Sequence, residues 1–377
     1  MRERIRMGLL LTVSVLVPLG LAVGYAEEKP AAPAAKTERA PAAPAAKPEE
    51  KPAALAAQPE EKPVTAAPAP KEFPQITIRN DQVKVTVYLP DAEKGFYRGR
   101  RFDWSGLIAR AEFDGRTVFG PFRTTYDAFN HDNVAGPADE FDMENSPPGF
   151  DEAKPGEPFV KIGVGLLRKG ADAKYDFWRP WPFAKPPAWQ VTSGPDWVEF
   201  KQAVSHNGWG YVWTKRISLV AGTPTLAVAY HLKNTGTKAI NTLFYCHNFI
   251  MLDDEPVGPN YRIEFPFDVT LRKDARGKLK ARGKELVLTD VLKDESAWAV
   301  LEGGTGKVED NQVLLANRRT GTAVRIQGDQ PLTEWRFYAE PTAACPEPFL
   351  RIQLAPGQEK VWHTDYRLHV LPKEAPK

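Results

Sequence analysis

Cysteine is scarce in this chain of 377 residues, which contains only Cys246 and Cys345. Two cysteines can form at most one bridge, so a disulfide framework is not what holds the fold together. Net charge is also small, because 50 basic side chains oppose 48 acidic ones and leave a formal charge of +2. The basic footprint of a nucleic-acid-binding protein is therefore absent, and we do not expect nucleic acid as a partner.

Long apolar runs are missing except for one near the N-terminus, from Gly8 to Val23, which follows three arginines. Residues 1–26 therefore read as an export signal, with the small residues Gly24 and Ala26 at the cleavage site. The run falls short of the roughly 20 residues that span a membrane and contains a proline. An uncleaved membrane anchor is the alternative. Either interpretation places the remainder outside the cytoplasm, in the periplasm or the extracellular space.

Residues 27–72 consist almost entirely of Ala, Pro, Lys and Glu, and repeat the sequence EEKP three times. This composition cannot bury a hydrophobic core. Its prolines favour extended polyproline geometry. We interpret the segment as a disordered spacer, and we place the folded domain in residues 73–377.

Helical periodicity is also lacking in residues 73–377, where short alternating apolar runs are separated by turn residues. Many strands with few helices predict an all-β fold, either a sandwich or a barrel, and a single large antiparallel sandwich suits their number better. Beyond an N-terminal pair near residues 76–89, the predicted strands are 107–113, 160–167, 197–204, 211–219, 225–233, 242–251, 261–270, 286–292, 312–317, 322–327, 334–340, 349–354 and 360–370.

Two long segments do not alternate, and loops of this length are usually functional or disordered. The first, residues 126–158, is acidic and contains His131 in the sequence NHDN. Its polar groups could bind hydroxyls, but their spacing fits no standard metal site, so we predict no metal. A solvated acidic loop is the alternative interpretation.

The second segment, residues 177–189, reads FWRPWPFAKPPAW. Trp178 and Trp181 offer flat apolar faces that suit the C–H side of a sugar ring. A loop that caps one end of the sandwich with buried aromatics is the alternative, and the two interpretations are compatible.

Four further polar residues could contribute to a site. His247 and Asn248 interrupt the apolar run TLFYCHNFIML, either as satisfied core residues or as a catalytic group beside a binding group. Arg101, in YRGRRFDW, could bind vicinal hydroxyls or a carboxylate, or belong to a basic surface turn. Glu347 stands between two prolines, which restrict its conformation and suit a general base, although such a glutamate is often only a surface residue.

The order of these motifs resembles the galactose mutarotase-like superfamily, which includes aldose 1-epimerases and hexose-phosphate mutarotases. The matching segments are GRTVFGPF, PTLAVAYHLKNTG, LFYCHNF and CPEP followed by LAPGQ, within residues 75–370. The resemblance implies a β-supersandwich that acts without a cofactor. It also implies that His247 is the general acid and Glu347 the general base of sugar mutarotation. His131 would correspond to a helper histidine, and Arg101 would replace a missing Asn-Arg motif.

The expected function is therefore that of an exported carbohydrate-binding protein with sugar mutarotase activity and a sugar or glycan as partner. A non-catalytic carbohydrate-binding module is one alternative, and a polysaccharide lyase or glycoside hydrolase is another. A protein partner bound through the tryptophan loop also stays open. If His247 and Glu347 share a cleft, Cys246 points to the opposite face of its strand, which disfavours a bridge to Cys345.

Overall fold

The computed structural model describes residues 73–142, 145–171, 174–274 and 276–372. The predicted export signal at 1–26 and the spacer at 27–72 lie outside these ranges. Across the ranges that are described, no helix combines the length and apolar character needed to cross a membrane.

Strands dominate the described residues, which contain 22 of them and one short 3-10 helix at Val308–Asp310. The all-β prediction is therefore confirmed. The strands are β1 (Gln75–Arg79), β2 (Val83–Tyr88), β3 (Leu107–Phe113), β4 (Arg116–Val118), β5 (Pro137–Phe141), β6 (Pro158–Lys161), β7 (Gly165–Arg168), β8 (Gln190–Ser193), β9 (Trp197–His206), β10 (Trp209–Leu219), β11 (Thr225–Asn234), β12 (Ile240–Asn248), β13 (Tyr261–Glu264), β14 (Thr270–Asp274), β15 (Leu279–Arg282), β16 (Glu285–Leu288), β17 (Ala297–Glu302), β18 (Gln312–Asn317), β19 (Thr322–Gly328), β20 (Glu334–Ala339), β21 (Ala344–Leu354) and β22 (Glu359–Val370).

Two large antiparallel sheets form the sandwich. One has ten strands in the order β15-β16-β13-β18-β19-β22-β11-β10-β9-β8, and the other has six in the order β14-β17-β20-β21-β12-β5. Alternate residues of both sheets meet in one hydrophobic core. At its centre Trp213 and Trp362 of the larger sheet pack on Phe244 of the smaller one, with Phe244 and Trp362 ring centroids 5.0 Å apart. Strands β1–β4 form a third sheet, and β6 and β7 form a hairpin.

Three predicted strand boundaries are wrong. The strand expected at 160–167 is the hairpin β6–β7, because Gly163 and Gly165 have φ of 78° and 124° and reverse its direction. The strand expected at 261–270 divides into β13 and the start of β14, and that expected at 286–292 ends at Leu288.

The acidic segment 126–158 is not a continuous loop, because β5 lies within it and pairs with β12 at the edge of the six-stranded sheet. All five residues of β5 are buried, including Asp139 and Glu140. Acidic residues disfavour strands, which is why the sequence pattern concealed this one. The two acids point to opposite faces of the sheet.

Each acid of β5 is neutralised by a buried base. Asp139 faces the interior of the sandwich, where its carboxylate lies 2.7 Å from Lys215 Nζ on β10. Glu140 faces outward, 2.7 Å from Arg101 Nε. Charged side chains that point inward also protect an edge strand from pairing with other chains.

A second carboxylate shares the interior lysine. Asp103 accepts a hydrogen bond from Trp213 Nε1 at 3.1 Å, while Lys215 Nζ donates to Ser105 O at 3.0 Å. Burial raises the pKa of Asp103 to about 6, although the charge of Lys215 opposes this shift. Two buried acids therefore depend on one buried base.

Removal of the Lys215 ammonium group should lower the free energy of unfolding. We expect Lys215→Met to destabilise the domain by about 3–5 kcal/mol, because Asp139 is left as an unpaired charge in the core. Urea unfolding of the full chain, followed by tryptophan fluorescence, measures this loss. Lys201→Met, on the exposed side of β9, is the matched control and should change the unfolding midpoint little. Equal effects of the two substitutions would contradict the role of the ion pair.

Asp103 should make stability depend on pH. Its carboxyl holds a proton more tightly in the folded protein, so its stabilising contribution is full below pH 3.8 and is lost as the pH rises towards about 6. Asp103→Asn stays neutral, so its unfolding free energy relative to wild type should rise across this window, by up to about 3 kcal/mol. Urea unfolding at several pH values tests this. A difference in unfolding free energy that stays constant across this pH window would refute it.

Candidate functional site

The outer face of the six-stranded sheet brings His247 and Glu347 together. Strands β12 and β21 pair Tyr245 with Phe349, and a bridge further on pairs Ile250 with Ala344. This register sets residue 247 opposite residue 347. The observed distance from His247 Nε2 to Glu347 Oε1 is 3.0 Å, and each residue is only 5% exposed.

Two prolines shape the strand that carries Glu347. Ile250 and Ala344 exchange both backbone hydrogen bonds, so the alternating pattern of an antiparallel ladder would place further bonded positions at 346 and 348. Pro346 and Pro348 occupy them and have no N–H to donate. His247 and Glu347 consequently form a non-bonded pair, the class in which facing side chains lie closest.

Asn248 does not face the site, which corrects its prediction as a substrate-binding residue. Its side chain points into the sandwich and is fully buried. There its amide donates to Pro346 O at 2.9 Å, and it accepts a hydrogen bond from Tyr366 Oη at 2.7 Å. Asn248 therefore joins the two strands where the prolines interrupt their ladder.

Aromatic rings fix the orientation of His247. Its imidazole stacks on Phe249 with centroids 4.0 Å apart, and Phe102 meets it edge-on at 5.9 Å. The second ring nitrogen, Nδ1, is buried and has no hydrogen-bond partner within the described residues. Buried polar atoms are normally satisfied, so Nδ1 is a position where a ligand atom could bind.

A charged group lies beside this pair. Arg101 Nε contacts Glu140 at 2.7 Å, and its Nη2 donates to Tyr245 Oη at 2.9 Å. Burial alone would lower the pKa of Arg101, but the carboxylate of Glu140 outweighs it and raises that pKa. Burial also raises the pKa of Tyr245 well above its usual value, so the phenol stays protonated.

The sequence reasoning treated Glu140 only as one of several polar groups of segment 126–158 that could bind hydroxyls, and it missed Tyr245 as a site residue. They are direct neighbours across β5 and β12, on the same face as His247. Glu140 Oε1 is buried without a hydrogen-bond partner in the described part of the chain, which leaves an acceptor for a ligand hydroxyl. The only available signal was a glutamate inside a segment taken for a loop.

The loops above the sheet supply His131 and Trp178. Their ring centroids lie 4.3 Å apart, and Trp178 is 60% exposed. Phe177 beside it contacts the guanidinium of Arg101 at 4.6 Å. Burial lowers the pKa of His131, although the charge of Asp132 opposes this shift. Its buried Nε2 lies 3.5 Å from Asp132 Oδ2 and forms no hydrogen bond among the described residues.

Trp181 is the second site prediction that needs correction. It is 1% exposed and packs with Phe150 and Phe159 in a small apolar cluster, so its faces are unavailable to a sugar. Its Nε1 donates to Asp176 O at 2.9 Å. Trp181 anchors the loop that presents Trp178. The alternative interpretation, a capping loop with buried aromatics, therefore holds for Trp181 but not for Trp178.

The cysteines lie outside the candidate machinery. Cys246 contacts Tyr366 on the inner side of the sheet, and Cys345 packs in a cluster with Phe249. Both are free, and burial raises the pKa of both thiols. Over the described ranges, no group of three or more His, Cys, Asp or Glu side chains has the arrangement of a metal site.

Solved structures show what this arrangement is similar to. A galactose mutarotase-related enzyme from Lactobacillus acidophilus superposes with a TM-score of 0.50 and 12% identity, over 80% of this chain and 100% of that chain. The chain has the galactose mutarotase-like fold. An aldose epimerase homologue from C. elegans superposes with a TM-score of 0.48 and 13% identity, over 79% of this chain and 99% of that chain. A galactose mutarotase-like protein from Lactobacillus casei superposes with a TM-score of 0.47 and 14% identity, over 78% of this chain and 100% of that chain.

The galactose mutarotase-like fold confirms the architecture that the sequence motifs implied. No family model and no curated protein sequence matches the chain. With 12% identical residues, the likeness to the Lactobacillus acidophilus enzyme concerns the fold alone. The contacts among the side chains of this chain are therefore the evidence for its chemistry.

The structural role of Asn248 can be tested directly. We expect Asn248→Ala to lower the free energy of unfolding by about 1–3 kcal/mol, because it removes the amide that serves Pro346 O and Tyr366 Oη. Asn241→Ala, at an exposed position of the same strand, is the control. Chemical denaturation of both variants distinguishes the roles. A variant at 248 as stable as wild type would contradict the assignment.

Proposed function

We propose that this chain binds an aldose and interconverts its two anomers. The observation that carries the proposal is the contact of 3.0 Å between His247 Nε2 and Glu347 Oε1 on the outer face of the six-stranded sheet. An imidazole and a carboxyl group at this distance can supply the acid and the base that mutarotation needs.

The reaction needs two proton transfers in each direction. Glu347 removes the proton from the anomeric hydroxyl while His247 donates a proton to the ring oxygen, and the bond from C1 to the ring oxygen breaks. Rotation about the C1–C2 bond of the open aldehyde then exposes the other face of the carbonyl. Reversal of both transfers closes the ring and restores the charged pair, so no cofactor or co-reactant is consumed.

The surrounding residues hold the rest of the sugar. Glu140 Oε1 accepts a hydroxyl hydrogen, while its other oxygen is held by Arg101. His131 Nε2 provides a further polar contact from the loop above. Trp178 covers the C–H face of the ring, since it is exposed and held against His131.

A non-catalytic sugar-binding module is the second candidate. One observation favours it: His247 and Glu347 are largely buried, and His247 Nε2 already contacts Glu347 Oε1. A binding module would keep the polar groups around Arg101 and use this pair as structure. For either function we propose export of the chain, on the evidence of residues 1–26 alone.

Mutarotation of freshly dissolved α-anomers, followed by NMR, tests the proposal. Glucose, galactose and uronic acids are the first substrates. We expect the wild-type chain to accelerate equilibration, and His247→Ala and Glu347→Gln each to lower kcat/KM roughly 10²- to 10⁴-fold, because each removes one proton-transfer group. Glu140→Gln should raise KM more than it lowers kcat, since it serves binding.

The controls are His363→Ala and Glu309→Gln, two exposed residues of the same types. They should retain wild-type rates. The unfolding midpoint of every variant is measured, and His247→Gln replaces the alanine variant if that variant is unfolded. If wild type accelerates none of the sugars, catalysis is rejected, and sugar binding by NMR titration then decides whether the module interpretation stands.

A further inference from the structure

The exposed aromatic side chains of the described residues cluster in two loops, one at residues 126–131 and the other at residues 177–178. Three are exposed, namely Tyr126 at 39%, Phe129 at 47% and Trp178 at 60%, while every other large apolar side chain exposed to this degree is a valine. These two loops also carry His131 and Phe177 to the candidate site. Aromatic surface left in water beside a cleft is typical of a binding surface.

Two arginines hold the ring of Phe129. The guanidinium of Arg98 lies 4.4 Å from the ring centroid, and that of Arg100 lies 5.3 Å from it. Arg100 also contacts Phe183 at 4.4 Å, which ties it to the loop that presents Trp178. Cation–π contacts of this kind order both guanidinium groups without neutralising them.

Neither of these two arginines forms a close ion pair within the described residues, although the carboxylate of Asp91 interacts with Arg98 at longer range. Arg98 Nη1 donates to Glu93 O at 2.7 Å, and Arg100 donates to Trp181 O at 3.0 Å and to Arg98 O at 2.9 Å. All of these acceptors are backbone carbonyls. Across the described residues, neither guanidinium has a carboxylate within 4.0 Å, whereas Arg101 next to them is fully paired.

The same short loop links the arginines to the candidate site. Arg98 and Arg100 flank Gly99, and Arg101 follows directly and reaches Glu140 beside the catalytic pair. Tyr97 Oη donates to His131 O at 2.9 Å, which joins this loop to the one that holds Phe129. The two arginines therefore stand on the loop that borders the candidate site.

We propose that Arg98, Arg100 and Phe129, together with Trp178, form an outer subsite for a sugar that bears a carboxylate, so that the ligand is an acidic oligosaccharide. The inference rests on the proposed function, because it treats the His247–Glu347 face as the inner sugar site. A guanidinium binds a carboxylate through two parallel hydrogen bonds, and an indole face covers the C–H side of the ring. A neutral glycan would leave both ordered charges unused.

Calorimetric titration of the full chain with trigalacturonic acid and with neutral galactotriose tests the subsite. We expect the acidic trisaccharide to bind at least tenfold more tightly. The double variant Arg98→Gln/Arg100→Gln should abolish this preference, because it weakens binding of the acidic trisaccharide far more than binding of the neutral one. Trp178→Ala should weaken both ligands. Arg282→Gln, at an exposed arginine of β15, is the control and should bind as wild type does.

Each other outcome overturns the subsite. Equal affinity for both trisaccharides, binding of neither, or an acidic preference that survives in the double variant would reject it. Poly-glutamate that competes as well as trigalacturonic acid would indicate an acidic polypeptide as the partner and reject a sugar ligand. Unfolding midpoints confirm that the variants are folded.

Failure of the proposed function gives a different result. Mutarotation of monosaccharides without an acidic preference would reject the outer subsite and keep catalysis. Arginine-dependent binding of trigalacturonic acid without mutarotation would reject catalysis and keep the subsite as part of a binding module.

Discussion

The two acids of β5 and their buried bases are the constraint on which the candidate site depends. Asp139 is drawn inward by Lys215 and Glu140 outward by Arg101, so this short edge strand is fixed from both faces of its sheet. A strand of composition PADEF has little intrinsic tendency to form. Its place beside β12 is instead specified by charge, and the outer face next to His247 exists as a polar surface because the strand is held there.

The site combines rigid and adaptable parts. His247 and Glu347 stand on neighbouring strands, where register and aromatic packing fix their positions, whereas His131 and Trp178 come from loops above the sheet. The buried ring of Trp181 anchors the loop that exposes Trp178. Groups proposed for proton transfer thus lie on the scaffold together with Glu140, and the other groups proposed for recognition lie on loops, where sequence can vary without loss of the fold.

Alternation along the chain revealed much of this architecture, but not all of it. It predicted most strands, and strand parity correctly separated Cys246 from His247. The same parity places Asn248 on the inner face, yet its polarity suggested a site residue. β5 was concealed because the bases that neutralise its acids lie far away in sequence, at 101 and 215. Trp178 and Trp181 look alike in sequence, and only the packing around them distinguishes an exposed ring from a buried one.

Pro346 and Pro348 have one more consequence, which concerns how easily the two central strands can separate. On either side of Glu347 the strand lacks an amide hydrogen, so the seam with β12 is weakest at the level of His247. The side-chain amide of Asn248, which donates to Pro346 O, replaces the missing backbone bonds at this level, while Ile250–Ala344 and Tyr245–Phe349 keep the strands in register on either side.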